Sequence, residues 1–289
     1  MVNNILKLRR LVEIARSEGL HRALDACVRH GHRLATQQLI RLSRRCLSDW
    51  KYVRYKLWKT KAFGRYQAVA DPLKTIWVSP DDIELRMPAL SAEYRWTGTA
   101  KVKSGNWDLR AEQFDELTIH QCFQMRFVDG VEWEEIPYIR ECAYGNQWWR
   151  GATTPEAVFA RCERMDQLYE AIRRKGIIPA NERIETDLDV AVARDDPLDP
   201  FLDDITVNIG RNGELIFVDG KHRLSIAKIQ GLESIPARPL VRHSHWQGYR
   251  EEIRNADSVT ELSPEARQHV QHPDMRDVAA TLDAPQQDR

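Results

Sequence analysis

The densest cluster of chemically capable residues is Asp219-Gly220-Lys221-His222-Arg223. It follows the apolar run Leu215-Ile216-Phe217-Val218 and precedes Leu224-Ser225-Ile226-Ala227-Lys228. A β-rich run that stops at a glycine and continues with helical spacing reads as strand, tight turn and helix. The first N–H groups of such a helix have no intrahelical acceptor and point outward, where the helix dipole is positive. Lys221, His222 and Arg223 add cationic donors at the same place, so the turn is a candidate anion site and phosphate is the natural anion. Arg223 would grip it through two parallel N–H groups, and Lys221 would act as a point charge. The competing reading is that Asp219 caps the helix and the basic side chains are solvated.

The elements around this turn are legible in part. Ile205-Thr206-Val207-Asn208-Ile209, the turn Arg211-Asn212-Gly213 and Leu215–Val218 spell a β-hairpin, because Asn-Gly between β-rich runs is a strong turn signal. Thr153-Thr154-Pro155-Glu156 opens a helix with a hydroxyl cap, a proline and an acid in the first turn. Val158, Cys162, Met165, Leu168, Tyr169 and Ile172 give its buried face, and Arg173, Arg174, Lys175 and Gly176 suit its C-terminal end. Leu73–Val78 is a strand candidate, followed by the turn Ser79-Pro80-Asp81-Asp82. Residues 86–150 read as Trp- and Gly-rich loops joining short elements. Residues 185–204, with eight acids, one arginine and two prolines, read as a surface insertion, and the segment after about Ser263 as a polar, fraying tail.

At this point the chain resembles a known family. Asp219-Gly220-Lys221-His222-Arg223, then Ala227-Lys228, Gly231-Leu232 and Ile235-Pro236, is similar to the ParB/sulfiredoxin superfamily, whose members share a Gly-x-x-Arg turn, a following helix and an Ile-Pro return strand. Met165–Pro179 and Ile76–Ile83 resemble the family's preceding helix and first strand. The likeness spans roughly residues 71–85 and 155–243. Sulfiredoxins carry a catalytic Cys where Lys221 stands, which argues against sulfinic acid reduction. Chromosome-partitioning ParB proteins have Glu-Arg-Arg after the glycine and a helix-turn-helix domain behind it, and neither pattern is present. The Asp-Gly-x-His-Arg motif is closest to the free-serine-kinase-like branch. That resemblance implies nucleotide phosphates on Gly220 and the N–H groups of Lys221, His222 and Arg223, with His222 and Arg223 stabilising the transferred phosphoryl group. It also implies Asp219 holding Mg2+ or orienting the basic residues, and a base at Asp82 or Glu84. For these two acids an ordinary helix cap is the competing reading.

Composition bounds the rest. The 289 residues carry 42% apolar and 30% charged side chains, which excludes collagen-like, coiled-coil and wholly disordered classes. No apolar run is long enough to cross a bilayer, and the opening residues lack the apolar core of a secretory signal. Five cysteines without CxxC spacing read as reduced thiols of a cytoplasmic protein. The net charge is zero, yet residues 1–66 hold sixteen Lys/Arg against four Asp/Glu, and the remainder offsets that excess. Such a basic, aromatic-interleaved stretch suits an anionic membrane surface or nucleic acid, or is a helical subdomain with solvated charges. His243 and His245 form a weak metal-binding candidate. Gly105-Asn106-Trp107-Asp108 and Asp129–Glu135 either line an acceptor pocket or are loops anchored by tryptophan.

The expectation is therefore a mixed α/β protein of the α+β kind. A basic helical region over 1–66 precedes a ParB/sulfiredoxin-like domain over 67–250 with an insertion at about 86–152, and a polar tail spans 251–289. Its expected function is ATP- or other nucleotide-dependent, Mg2+-assisted phosphoryl transfer to a small or lipid-linked hydroxyl, in the cytoplasm or peripheral at a membrane. The alternative is a non-catalytic nucleotide switch or DNA-binding protein.

Overall fold

The computed structural model describes residues 65–71, 74–88, 92–95, 98–99, 101–145, 147, 149, 152, 154–179, 204–280 and 282. The basic stretch up to residue 64 and the acidic stretch 185–203 lie outside the described residues, and with them the readings placed there.

A mixed sheet of seven strands organises the domain: β1 (Ile76–Val78), β2 (Leu85–Arg86), β3 (Lys101–Lys103), β4 (Glu112–Gln113), β5 (Ile205–Ile209), β6 (Leu215–Asp219) and β7 (Ile235–His243). The spatial order is β1-β7-β5-β6-β2-β4, with β3 also on β7. The hairpin expected from Asn-Gly is the antiparallel pair β5/β6, while β5/β7, β3/β7 and β2/β6 are parallel. Every residue of β5 and β7 is buried, including the polar Thr206 and Asn208 and the charged Arg238 and Arg242; Asn208 and the two arginines find partners inside.

Among the described residues there are seven α-helices: α1 (Thr118–Phe127), α2 (Pro137–Tyr144), α3 (Pro155–Lys175), α4 (Lys221–Ile229), α5 (Ser244–Asn255), α6 (Pro264–Gln268) and α7 (Arg276–Ala279). Helix α3 has the expected ends. Thr154 Oγ1 accepts the Ala157 N–H, Pro155 opens the first turn, and Gly176 closes the helix at φ 67° with its N–H on the Ile172 carbonyl. Helix α4 carries two apolar faces. Leu224 and Ala227 join Ile205, Val207, Phe217 and Ala237 over the sheet. Ile226 joins Phe123, Trp133, Ile139, Val158 and Met165 in a second core formed with α1, α2 and α3. The opposite sheet face packs Ile216, Val218, Leu240 and Val241 under Trp107.

One expectation is refined and another corrected. The short elements that the loops of residues 86–150 join include β3, β4, α1 and α2, and the two helices are more substantial than a loop-rich reading suggests. Residues 264–280 do not fray, because Ala266, Asp274, Met275 and Val278 are all buried. The physical reason is a buried charge. Arg242 on β7 grips the Asp274 carboxylate through Nε and Nη2 at 2.9 and 2.6 Å, and Trp246 Nε1 donates to it at 3.0 Å. Arg250 reaches the same carboxylate and also holds Asp277 at 2.8 Å. Lys74 donates to the Asp274 carbonyl at 2.9 Å and to Asp277 at 2.7 Å. A segment pinned by this many charge-assisted bonds is a structural layer.

Removing one partner of such a buried network leaves uncompensated charge, so Asp274→Ala is expected to cost about 3–5 kcal/mol in urea unfolding. An unchanged midpoint would refute the role given to this carboxylate. Acid should act in the same sense. His272 accepts the Asp274 N–H through Nδ1 and packs on Trp246 with ring centroids 4.6 Å apart. Burial lowers its pKa to about 4, opposed mainly by Asp274. The unfolded chain protonates near 6.5, so between those values it binds the proton that the fold refuses, and stability falls as pH drops through that window. Below it, Asp274 adds a further loss, since its carboxylate is held under the usual range against its own burial by Arg242, Arg250 and Lys74. Thermal melts between pH 7 and 4.5 should show the decline, and His272→Gln should flatten it. A variant slope parallel to the native one would exclude His272.

Candidate functional site

The turn after β6 is built as strand, glycine and helix. Gly220 is the N-cap of α4 at φ 95°, a conformation that side chains with a Cβ rarely adopt. A Cβ there would also lie 3.1 Å from the Ile205 Cα. Just before the turn the β5/β6 ladder slips: Val207 pairs with Phe217 but Thr206 with Asp219, so Val218 is the extra residue of a bulge. A bulge bends its strand and re-aims the residues beyond it. Here it leads into Asp219, whose Oδ1 accepts the Gly220 N–H at 2.8 Å. The first intrahelical bond of α4 runs from the Leu224 N–H to the Gly220 carbonyl at 3.1 Å. The N–H groups of Lys221, His222 and Arg223 precede it and point out of the helix end.

The side chains do not converge as the backbone does. Successive helical residues leave the axis about 100° apart, so Lys221, His222 and Arg223 fan out. The His222 ring turns into the helical layer, stacked on Phe123 with centroids 5.7 Å apart at 26°, and meeting Trp149 at 6.4 Å. Lys221 lies on the side of Cys122, where its charge opposes the burial that pushes the thiol up to about 11. All three residues are half-buried. Among the expected site residues, the fold thus brings together Asp219, Gly220, Lys221, His222 and Arg223.

Asp82 and Glu84 are placed differently. Asp82 ends the single-turn helix Pro80–Asp82, whose cap is Ser79 Oγ on the Asp81 N–H. Glu84 precedes β2, where Leu85 is level with Ile216, so along the sheet it stands at the beginning of β6 while Asp219 stands at its end. Its carbonyl accepts the Phe114 N–H at 2.7 Å, and Lys228, in the last turn of α4, sits 5.8 Å over the Phe114 ring. The Glu84 backbone is therefore beside the C-terminal end of α4, and the Gly220 turn is at the other end, about 12 Å away by helical rise.

Other candidates resolve into structural roles. His243 Nδ1 accepts the His245 N–H as the cap of α5, and its Nε2 bonds the Gly105 carbonyl at 2.8 Å. Both nitrogens are engaged and His245 begins a helix, which removes the His-x-His metal reading. Asp108 is held by Arg211 at 2.8 Å, and Trp133 Nε1 donates to Asp166, so these two acid-aromatic segments serve as anchored loops. Burial pushes Cys122 and Cys162 up to about 11 and 12, which keeps both thiols protonated. Among the described residues no group of three or more His, Cys, Asp or Glu could hold a metal ion. Among the described residues no helix is long and apolar enough to cross a membrane.

Phe123 and Arg161 are missing from the sequence-based set. The stripe Ile119, Cys122, Phe123 would have flagged a buried helix face, but nothing local says it meets His222. Arg161 is buried with its Cζ 4.9 Å over the Trp149 ring. Compared with family models, with curated proteins and with solved structures, the chain finds no match.

The turn makes one direct prediction. Gly220→Ala should destabilise by about 1–2 kcal/mol from the left-handed conformation alone, and more where the new Cβ presses on Ile205. Chemical unfolding of this variant measures it, and wild-type stability would rule out the turn geometry described.

Proposed function

We propose that the Asp219–Arg223 turn binds the phosphates of a nucleotide, and that the chain is a ParB/sulfiredoxin-like phosphotransferase acting on a small or lipid-linked hydroxyl. The observation that carries this is the backbone: a strand delivers a left-handed glycine, and three N–H groups at the positive end of a nine-residue helix come directly after it. Lys221 and Arg223 flank those donors and would add charge to either side of a phosphate chain. Asp219 is the carboxylate that would hold Mg2+, which when bound neutralises charge on the phosphate oxygens. The acceptor oxygen would attack the terminal phosphorus as the bond to the departing nucleotide diphosphate breaks, with catalysis resting on positioning and charge.

A second reading has its own support. Glu84 lies by the far end of α4, and the His222 ring faces aromatic neighbours, which favours nucleotide binding without transfer. Residues 1–66, with their basic excess, are the part that would meet an anionic membrane or, in this second reading, DNA.

A thermal-shift series with Mg2+-ATP, CTP, GTP and duplex DNA tests both, since binding to the folded state raises Tm. A nucleotide should raise Tm, and Arg223→Ala should reduce the effect. ADP release with added alcohols then marks transfer. A nucleotide shift without ADP release selects the switch, and a shift with DNA alone discards the nucleotide site.

A further inference from the structure

Four tryptophans among the described residues are buried: Trp107, Trp133, Trp149 and Trp246. Three have an acceptor for the indole N–H: Trp107 on the Lys103 carbonyl, Trp133 on Asp166 and Trp246 on Asp274. Trp149 is the exception. It is 3% exposed, and its Nε1 is buried with no hydrogen-bond partner among the described residues. A buried donor without an acceptor is costly, and its presence asks what group supplies the missing oxygen.

Its position answers that question. The Trp149 ring lies 6.4 Å from the ring of His222, the second residue of α4, so the indole stands beside the first turn of that helix. The buried Arg161 guanidinium lies over the same indole. The groups beside the indole are donors: the guanidinium of Arg161 over its ring and the backbone N–H groups of the first turn of α4 that carries His222. A ligand rich in acceptors and poor in donors matches that set, as the oxygens of a phosphate chain do.

We infer that Trp149 is a further ligand-binding residue of this site, its indole N–H donating to an oxygen of the bound phosphate chain. The inference rests on the reading of the Gly220 turn as a phosphate site and assigns that site its wall on the Trp149 side. It also gives the Phe123–His222 stack a positioning role, since the His222 ring fixes how closely the indole approaches the helix end.

The test is a 15N–1H NMR titration of the full-length protein with Mg2+-ATP and, as a probe without base or ribose, inorganic tripolyphosphate. The Trp149 indole resonance is identified by its loss in Trp149→Phe, or by its cross-relaxation with the His222 ring should that variant not fold. The expected result is a saturable indole shift with both ligands, at the same Kd as shifts of the Lys221, His222 and Arg223 amides. Trp149→Phe, where folded, should weaken both ligands about tenfold. If those amides move and the indole does not, this inference fails while the phosphate site stands. An indole that answers to ATP but not to tripolyphosphate overturns the phosphate contact. If neither indole nor amides move, the underlying reading falls as well.

Discussion

The Asp274 carboxylate is the interaction on which the rest of the domain leans. It is fully buried, yet Arg242, Arg250 and Lys74 hold it ionised. Through it the C-terminal segment, β7, α5 and the strand just beyond Lys74 are tied to one point. A buried ion pair of this kind adds little net stability compared with well-packed apolar groups. Its use here is geometric: the carboxylate admits one arrangement of its partners, and that fixes β7 against α5. The consequence reaches the functional turn in three steps. β7 sets β5 through parallel pairing, β5 places Ile205, and Ile205 backs the left-handed Gly220.

At the turn itself the division of labour runs opposite to what the residue types suggest. Lys221, His222 and Arg223 look like a cluster of cations in sequence, but a helix spreads consecutive side chains around its axis. What the helix end does gather is main-chain N–H. An anion bound there is recognised first by backbone dipoles and then framed by charge. His222 illustrates the difference, since it lends the turn its N–H and lends the second core its ring.

How much of this was legible depended on the range of the interactions. The β5/β6 hairpin, helix α3 with both its ends, and the strand–glycine–helix turn were readable because Asn-Gly, Thr-Pro-Glu and Val-Asp-Gly act within a few residues. The mixed α/β character came with them. Lys74 and Asp274 stand two hundred residues apart, and no local pattern announces their pairing, so polarity after Ser263 suggested a loose tail where a buried layer exists. The two- and three-residue strands β2, β3 and β4 escaped for a related reason: they are too short to show alternation, and only their neighbours in the sheet define them. The strand–glycine–helix turn was visible in the sequence. Its aromatic wall was not, because Phe123, Trp149 and His222 come from three separate segments.

The position of Glu84 bears on which chemistry the domain performs. The register of β2 on β6 sets Leu85 level with Ile216, so Glu84 stands beside the start of β6. Helix α4 runs from the end of β6 toward Phe114, which bonds the Glu84 carbonyl. The register therefore sets this acid about four residues, roughly 13 Å of strand, before Asp219, beyond the reach of a glutamate side chain. An acceptor hydroxyl attacking a phosphate held at Gly220 would need its proton taken at the near end. There the carboxylate within the turn is Asp219, which also accepts the Gly220 N–H. One carboxylate asked to fix the turn, to hold a cation and to receive a proton has incompatible tasks, because protonation weakens its hold on the other two. Phosphoryl transfer, as proposed for this site, would then draw its rate from positioning and charge, with little from general base catalysis, whereas phosphate binding makes no such demand on Asp219.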